Sequence, residues 1–493
     1  VIMADVITVE QLDAINLKVT ADPGIRQEIQ EFFSFRPANY MFTPSYKNKI
    51  WDGFIRLYSP MRPTLMVGLM KKLIIFCEDR GYDIDAPDHL IHGEDDIPDD
   101  YGIQLAKEVN CKFVPRDYQN QYIVDALRDS RSLSLSPTSS GKSLIIYLIQ
   151  QHYYKKFNHR TLIIVPTISL VHQMEGDFID YGCDPEAIHK IKGGAEKNTD
   201  KPVVVSTWQS LVKLPKEWFA QFKVVLGDEA HQFQAKSLQT IMGMLPDCYY
   251  RHGFTGTLKT EESKTHRLVL EGCFGSVRQH VTTKNLIDDG TVADFEVKAI
   301  VLSHSQEIRK GFKKAINKLD ASRKFSAERE FLVNCERRNI FLRNLLWSLE
   351  GQNNLVLFDL VEKHGKVLEP LFQKEGRELH FIHGGVKGEE RERIRHLVEN
   401  DPEKKHNILA SFGTYSTGVN LKRLDNVIFA FGGKSEIKVF QSVGRSLRKG
   451  NGSDKAVLYD VSDDLSSGSY NNYTLDHFRK RIDMYGGQQF KTK

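Results

Sequence analysis

The stretch Ser136-Pro137-Thr138-Ser139-Ser140-Gly141-Lys142-Ser143 constrains this chain more than any other segment. It follows a short apolar run, Ser132–Leu135, and leads into another, Leu144–Ile149. A strand, a loop of small residues and a helix in that order make a cradle for phosphate. Small side chains let backbone N–H groups point inward, and the helix contributes its positive N-terminal end. Lys142 can then reach the β/γ-phosphates of a nucleotide, and the Ser143 hydroxyl can ligate Mg2+. Ser136 stands where such loops usually carry their first glycine. Pro137, Thr138, Ser139, Ser140 and Gly141 complete the expected nucleotide contacts.

Hydrolysis at such a cradle needs a carboxylate at the end of a neighbouring strand. The apolar run Val224–Leu226 continues through Gly227 into Asp228-Glu229-Ala230-His231. Asp228 is expected to hold Mg2+ through water, and Glu229 to position or deprotonate the attacking water. A coupling role is expected for His231. Much later, Gln441-Ser442-Val443-Gly444-Arg445-Ser446-Leu447-Arg448 sets two arginines three apart, on one face if the segment is helical. Charge spread over the γ-phosphate oxygens can be neutralised by a guanidinium from elsewhere in the chain. Arg445 and Arg448, with Gln441 in register, are expected to act so. A second α/β half would then close on the first, with ATP as the clamp.

The rest of the chain fits two such halves. Strand-like runs at Thr161–Val165, Val203–Ser206 and His252–Thr255 alternate with helix-length segments, the pattern of βαβ units. Alternation resumes at Leu355–Phe358, Glu378–Ile382, Asn407–Ala410, Asn426–Ala430 and Ala456–Tyr459. Before the first half, short alternating segments (Leu17–Val19, Asn39–Phe42, Phe54–Tyr58) mix with helical stretches near Ile25–Phe33 and Val67–Arg80. An acidic run up to Asp100 reads as a solvated linker. The expected division is a small N-terminal α+β domain over 1–100, with nucleic-acid binding; a first lobe with the ATP site over 101–285; a helical connector over 286–350; a second lobe with the arginine fingers over 351–465; and a basic tail or helix over 466–493.

These motifs, in this order across about 113–460, resemble those of superfamily-2 helicases. The resemblance implies two RecA-like parallel-sheet lobes. It also implies that Arg116 and Gln119 of Arg116-Asp117-Tyr118-Gln119 contact adenine, and that Thr255-Gly256-Thr257 couples hydrolysis to strand movement, chiefly through Thr255 and Thr257. Pro166-Thr167 and Ser206-Thr207-Trp208-Gln209 resemble two nucleic-acid motifs. Phe358-Asp359 and His383-Gly384-Gly385 with Arg391 match second-lobe motifs, and Ser411–Asn420, with Thr414 and Gly418, matches another, Gly418 falling to the nucleotide side. More narrowly, Phe32-Phe33-Ser34-Phe35, Trp51-Asp52-Gly53, Pro202–Gln209 and Pro215-Lys216-Glu217-Trp218-Phe219 resemble the UvsW-type helicases of T-even-like phages. That likeness implies an ATP-driven enzyme acting on forks, Holliday junctions and R-loops in recombination and fork rescue.

Hydroxyl and backbone donors at Thr167, Thr207 and Thr414 can bind phosphates without reading bases, which suits a motor that steps along any sequence. Trp208 can stack on a base or pack in a core, and the sequence leaves both open. Lys47, Lys49, Trp51, Phe54, Arg56 and Tyr58 interleave cations with aromatics, which fits either a stacking, phosphate-tracking surface or an ordinary hairpin with one solvated face. Arg309, Lys310, Lys313, Lys314, Arg323 and Lys324, and the tail's Arg479, Lys480, Arg481, Lys491 and Lys493, are further basic groups.

Charge is nearly balanced, 68 basic against 64 acidic side chains for a net +4, so a polyanion site must come from local placement. Six scattered cysteines without a CxxC pair argue against a zinc ribbon or disulfide framework and fit a reducing compartment. No apolar run approaches the length of a membrane span. The expected partners are DNA (branched, duplex or single-stranded) and RNA–DNA hybrid, with no membrane, and the protein is expected to be a monomer in the cytoplasm of an infected bacterial host. The rival readings are an RNA-remodelling ATPase, a restriction-system motor, and a passive junction-binding or annealing protein with an inactive nucleotide fold.

Overall fold

The computed structural model describes residues 6–37, 40–93, 96–137, 140–191, 196–256, 258, 264–289, 294–401, 404–418, 421, 424–431, 455–487 and 491–493. They form two compact units, Val1–Val281 and Thr282–Lys493.

The first unit opens with a small α+β region. Strands Val6–Gln11, Asn16–Thr20 and Thr64–Met66 pair antiparallel, and Asp83–Asp85 adds a parallel edge. Alternation turns Val9, Leu17 and Val19 inward and leaves Lys18 and Glu10 to pair outside at 3.3 Å. Helices Pro23–Phe32 and Met70–Arg80 cover the apolar face with Ile25, Ile29, Leu73 and Phe76. Two of the strand-like segments read from the sequence are corrected. Tyr40–Phe42 is a single 3-10 turn whose bonds are local, from Tyr40 N–H to Pro37 O and Thr43 N–H to Tyr40 O, and Asn39 lies outside the described residues. Phe54–Tyr58 keeps only Ile55–Arg56 as strand, paired with Ser34–Phe35.

This region is built onto the sheet that follows it. Ala14 N–H donates to Pro246 O at 2.8 Å, and the buried Arg131 guanidinium donates to Ala14 O. Lys71 and Arg278 share the Asp129 carboxylate at 2.5 and 2.6 Å. At Gly68 a Cβ would lie 2.1 Å from Glu271 O, so glycine is what lets the turn Val67–Leu69 approach helix Lys264–Phe274.

The seven-stranded sheet of the first unit runs, edge to edge, Val277–Arg278, Arg131–Leu135, Tyr250–Thr255, Val224–Asp228, Thr161–Val165, Val203–Thr207 and Ile188–Ile191. Every pairing is parallel. Its central strands are buried on both faces, which explains why they read as continuous Val/Ile/Leu runs.

The second unit repeats the plan. The order is Leu379–Ile382, Asn407–Ser411, Asn354–Phe358, Asn426–Phe429, Lys455–Asp464, Asp294–Ser303 and Lys491–Thr492, again all parallel. The stretch 286–350, read from sequence as helical, holds helices Gln306–Ile316, Ala321–Val333 and Glu336–Ser348, but also the ten-residue strand Asp294–Ser303. Its partner is Lys455–Asp464, far along the chain, and Glu296 and Lys298 alternate with Phe295, Val297 and Ala299 in the period-2 pattern of a strand. The tail contains helix Tyr473–Gly487. Arg481 there is not part of a basic surface: it is buried and bonds both Asp460 oxygens at 2.8 and 2.7 Å, with Tyr485 O–H donating to the same carboxylate. Thus two parallel-sheet units and a small N-terminal α+β region make up the fold. No helix among the described residues is long and apolar enough to cross a membrane.

Candidate nucleotide site

The groups marked in the first unit gather where its parallel strands end, the edge at which open α/β sheets bind ligands. Strand Arg131–Leu135 leads into Ser136 and Pro137, and helix Lys142–Phe157 starts after Gly141, whose φ of 76° is left-handed. A Cβ at Gly141 would meet Gln119 Nε2 at 2.3 Å. The loop is tied internally by Ser136 Oγ and Ser140 Oγ at 2.6 Å, with Ser140 Oγ also donating to Pro137 O. Helix Asp117–Asp129 braces it from outside. Tyr118 O–H and the Gln119 amide both donate to Ser140 O, at 3.0 and 2.8 Å, while Gln119 Oε1 accepts from Arg116 N–H. Gln119 is therefore buried under the loop, whereas Arg116 is exposed. The Lys142 ammonium rests over the loop, 3.3 Å from Ser136 O and 3.5 Å from Pro137 O. Thr138 and Ser139 lie outside the described residues.

Asp228 ends its strand, and Glu229 turns the chain with a left-handed φ of 50°, a conformation a glutamate adopts only at a cost in strain. Glu229 N–H donates to Asp228 Oδ1 at 2.9 Å. Burial first, and the Glu229 carboxylate second, push the Asp228 carboxyl above its ordinary range; the Lys142 charge is the largest effect in the other direction. The loop lysine and the acidic pair are thus within electrostatic reach of each other. Hard oxygen donors such as the Ser143 hydroxyl and the Asp228 carboxylate are the type Mg2+ takes, and the like-charge pressure between Asp228 and Glu229 is what a dication relieves. These residues fit the metal that the loop implies.

His231 links this corner to the next strand. Its Nδ1 lies 3.3 Å from Glu229 Oε2 and 3.0 Å from Thr255 Oγ1. Thr255 in turn accepts Ser136 N–H on its carbonyl at 2.9 Å. Thr257 lies outside the described residues. One contact had no sequence signal: Ser143 Oγ is 2.7 Å from the hydroxyl of Tyr181, at the end of helix Ile168–Tyr181. No local spacing connects positions 38 apart, so only the packing of the two helices shows it.

Two of the threonines marked for nucleic acid, Thr167 and Thr207, sit along the same edge. Thr167 caps helix Ile168–Tyr181, accepting Leu170 N–H, and Thr207 Oγ1 is 3.1 Å from Ser210 Oγ. Trp208 packs against the core of this sheet. In the N-terminal region Lys47 and Lys49 are exposed, Trp51 donates to Phe54 O, and Arg56 pairs with Asp52 at 2.5 Å, which lowers the Asp52 carboxyl to about 2. Arg36, unmarked by the sequence reading, lies over the Phe54 and Tyr40 rings at 4.3 and 5.0 Å, and Phe42, in the same turn as Tyr40, is 69% exposed.

In the second unit Ser411 O–H donates to Thr414 Oγ1 at 2.8 Å, at the start of helix Phe412–Gly418. Arg391 donates to Val386 O and Gly384 O, closing the loop of small residues that follows His383. Gln441, Arg445 and Arg448 lie outside the described residues.

Comparison with known proteins agrees with this geometry. Residues 6–86 match the model "DNA helicase UvsW, N-terminal", 112–260 match "Type III restriction enzyme, res subunit", and 337–450 match "Helicase conserved C-terminal domain". The chain is 33% identical to the ATP-dependent DNA helicase uvsW of Enterobacteria phage T4 over 501 aligned residues, covering 97% of each. It belongs to the UvsW helicase family. The crystal structure of T4 UvsW superposes with a TM-score of 0.51 at 29% identity, over 99% of this chain and 98% of that one. A DNA-bound Type ISP restriction-modification enzyme, LlaBIII, shares the fold, with a TM-score of 0.55 over 75% of this chain and 29% of its own, at 18% identity. This UvsW-family chain is an ATP-dependent helicase of superfamily 2, as its motif order implied.

Proposed function

We propose that the chain, acting as a monomer with ATP and Mg2+, remodels branched DNA: forks, Holliday junctions and the RNA–DNA hybrids of R-loops. The observation that carries this reading is the continuous link from the acidic pair through His231 to Thr255 and back to the phosphate loop at Ser136. A site that only bound nucleotide would have no need to wire its hydrolytic carboxylate to the next strand.

In this reading the loop N–H groups and Lys142 bind the phosphates, with Arg116 and Gln119 at the adenine end and Gly418 contributing from the second unit. Ser143 and Asp228 hold Mg2+, which supplies charge neutralisation at the phosphates. Glu229 takes the proton of the attacking water, its left-handed backbone aiming the carboxylate. Arg445 and Arg448, with Gln441, meet the charge that develops on the transferred phosphoryl group. His231, Thr255 and Thr257 transmit the change to the threonines Thr167, Thr207 and Thr414, which grip phosphates of the track. Lys47, Lys49, Trp51 and Arg56 supply the junction-facing surface, extended by Arg36 and Phe42. The phage T4 relative supports an infected bacterial cell as the place of action.

The test is ATP-dependent processing of matched fork, Holliday-junction and R-loop substrates across a salt series, with Lys142→Ala as the control for turnover. Expected are strand displacement on the branched substrates, loss of turnover in the variant with DNA binding retained, and a steep salt dependence from backbone contacts. Stimulation by single-stranded RNA alone would favour the RNA-remodelling reading. Binding and annealing without turnover would favour the passive one.

A further inference from the structure

At the start of the second unit's strands, the end opposite Ser411 and Thr414, three metal-ligating side chains converge. Strand Leu379–Ile382 is an edge strand, and its parallel register sets Leu379 beside Asn407 and His380 beside Ile408. Glu378 and His406 therefore precede neighbouring strands side by side, and His380, two residues after Glu378, shares its face. His380 Nε2 lies 3.2 Å from His406 Nδ1. Glu378 Oε1 lies 3.9 Å from His380 Nε2, and Glu378 Oε2 lies 3.8 Å from His406 Nδ1. A tetrahedral zinc-type ion, with N and O ligands at about 2.0–2.2 Å, holds its ligand atoms roughly 3.3–3.6 Å apart. One ligand atom from each residue lies within 4.8 Å of the other two, wider than that spacing only on the carboxylate side, where the half-exposed Glu378 side chain can rotate inward.

The surrounding structure holds them there. His406 N–H donates to Asn353 Oδ1 at 2.9 Å, its carbonyl accepts Asn354 N–H at 2.9 Å, and Asn407 N–H donates to Glu378 O. Both imidazoles are buried, which favours the neutral form that has a lone pair to give, whereas the Glu378 side chain is 52% exposed. Nearby Arg393 is occupied by Glu390, with both contacts at 2.8 Å. Three lone-pair donors this close together are only partly satisfied by a proton shared between two imidazoles. A divalent ion satisfies all three. Among the described residues no other cluster of three His, Cys, Asp or Glu has this convergence.

We propose that Glu378, His380 and His406 form a binding site for a divalent transition metal of the zinc class, its fourth position open to solvent on the Glu378 side, which pins the edge strand Leu379–Ile382 to Asn407–Ser411. The site is independent of nucleotide hydrolysis, because it lies at the opposite end of the strands from Ser411. The experiment uses the untagged full chain, stripped with chelator and titrated with Co2+. Expected are one equivalent bound with the visible absorption of tetrahedral cobalt, its displacement by Zn2+, and a zinc-dependent rise in melting temperature. Glu378→Gln, a change at a solvent-exposed side chain, should weaken binding by about tenfold or more while Mg2+-dependent ATPase stays unchanged, and E378Q/H380N should abolish the band. No tetrahedral band in the wild type would overturn the assignment. So would a band of equal affinity in both variants, which would locate the metal elsewhere.

Discussion

Replacing Asp228 with Asn should stabilise the nucleotide-free protein while ending its activity. The carboxyl is raised from an ordinary 3.8 to about 6, by burial first and by Glu229 second. An acid whose folded value lies above its unfolded one binds more protons when folded, so the fold loses stability as pH rises between the two values. Above about pH 6 the whole penalty is present, on the order of 3 kcal/mol at 1.36 kcal/mol per pH unit, and partial solvent access with a burden shared by Glu229 brings it nearer 1–3 kcal/mol. Asn keeps the acceptor for Glu229 N–H and carries no charge. At about 2–4 °C per kcal/mol, the variant should melt roughly 2–12 °C above wild type at pH 8, and by about half that margin at pH 5. Three of the four tryptophans, Trp51, Trp208 and Trp218, lie in the first unit, so tryptophan fluorescence follows the relevant transition. The variant should also lose the extra stability that Mg2+ with a non-hydrolysable nucleotide confers. A variant that melts at or below wild type at pH 8, or gains equally at both pH values, refutes the account of a strained acidic pair.

Three further outcomes follow from the same contacts. His231→Ala and Thr255→Val should be non-additive in DNA-stimulated turnover, with a coupling of about 1 kcal/mol in a double-mutant cycle, and strict additivity would sever the link between the acidic pair and the next strand. Arg481→Ala strands the buried Asp460 carboxylate and should cost about 3–5 kcal/mol in urea unfolding of the second unit, while Arg479→Ala, exposed on the same helix, should fall within about 0.5 kcal/mol of wild type. Lys47→Ala with Lys49→Ala should make the log–log salt dependence of DNA binding shallower by about two, near one per lysine, and an unchanged slope would remove them from the DNA surface.

What the sequence made legible is what local chemistry fixes. The loop before Lys142 and the strand ahead of Asp228 announce themselves because the residues that make the turn, the strand and the charge are contiguous. The central strands were readable because both faces are buried, leaving uninterrupted apolar runs. What escaped depends on partners far away in the chain. Strand Asp294–Ser303 pairs with Lys455–Asp464, far along the chain, and its alternation of Glu296 and Lys298 with apolar residues is short beside the basic helices that follow it. Arg481 looked like surface charge until Asp460 and Tyr485 enclosed it. Tyr181 reaches Ser143 only through the packing of two helices, and Arg36 meets Phe54 only after a two-stranded turn folds back.

The strand order gives the coupling role proposed for Thr255 its physical basis. Strand Tyr250–Thr255 lies between Arg131–Leu135, which ends in the phosphate loop, and Val224–Asp228, which ends in the acidic pair. In a parallel sheet all three ends emerge together, so the middle one touches both neighbours without any extra element. Thr255 does so with two different groups: its carbonyl accepts from Ser136, and its hydroxyl meets His231. A shift of the loop and a shift of Glu229 are then felt at one residue. Of the substitutions considered above, the threonine-to-valine change is therefore the one expected to leave nucleotide binding intact while separating hydrolysis from movement along DNA, because it removes the hydroxyl but keeps the carbonyl that steadies the loop.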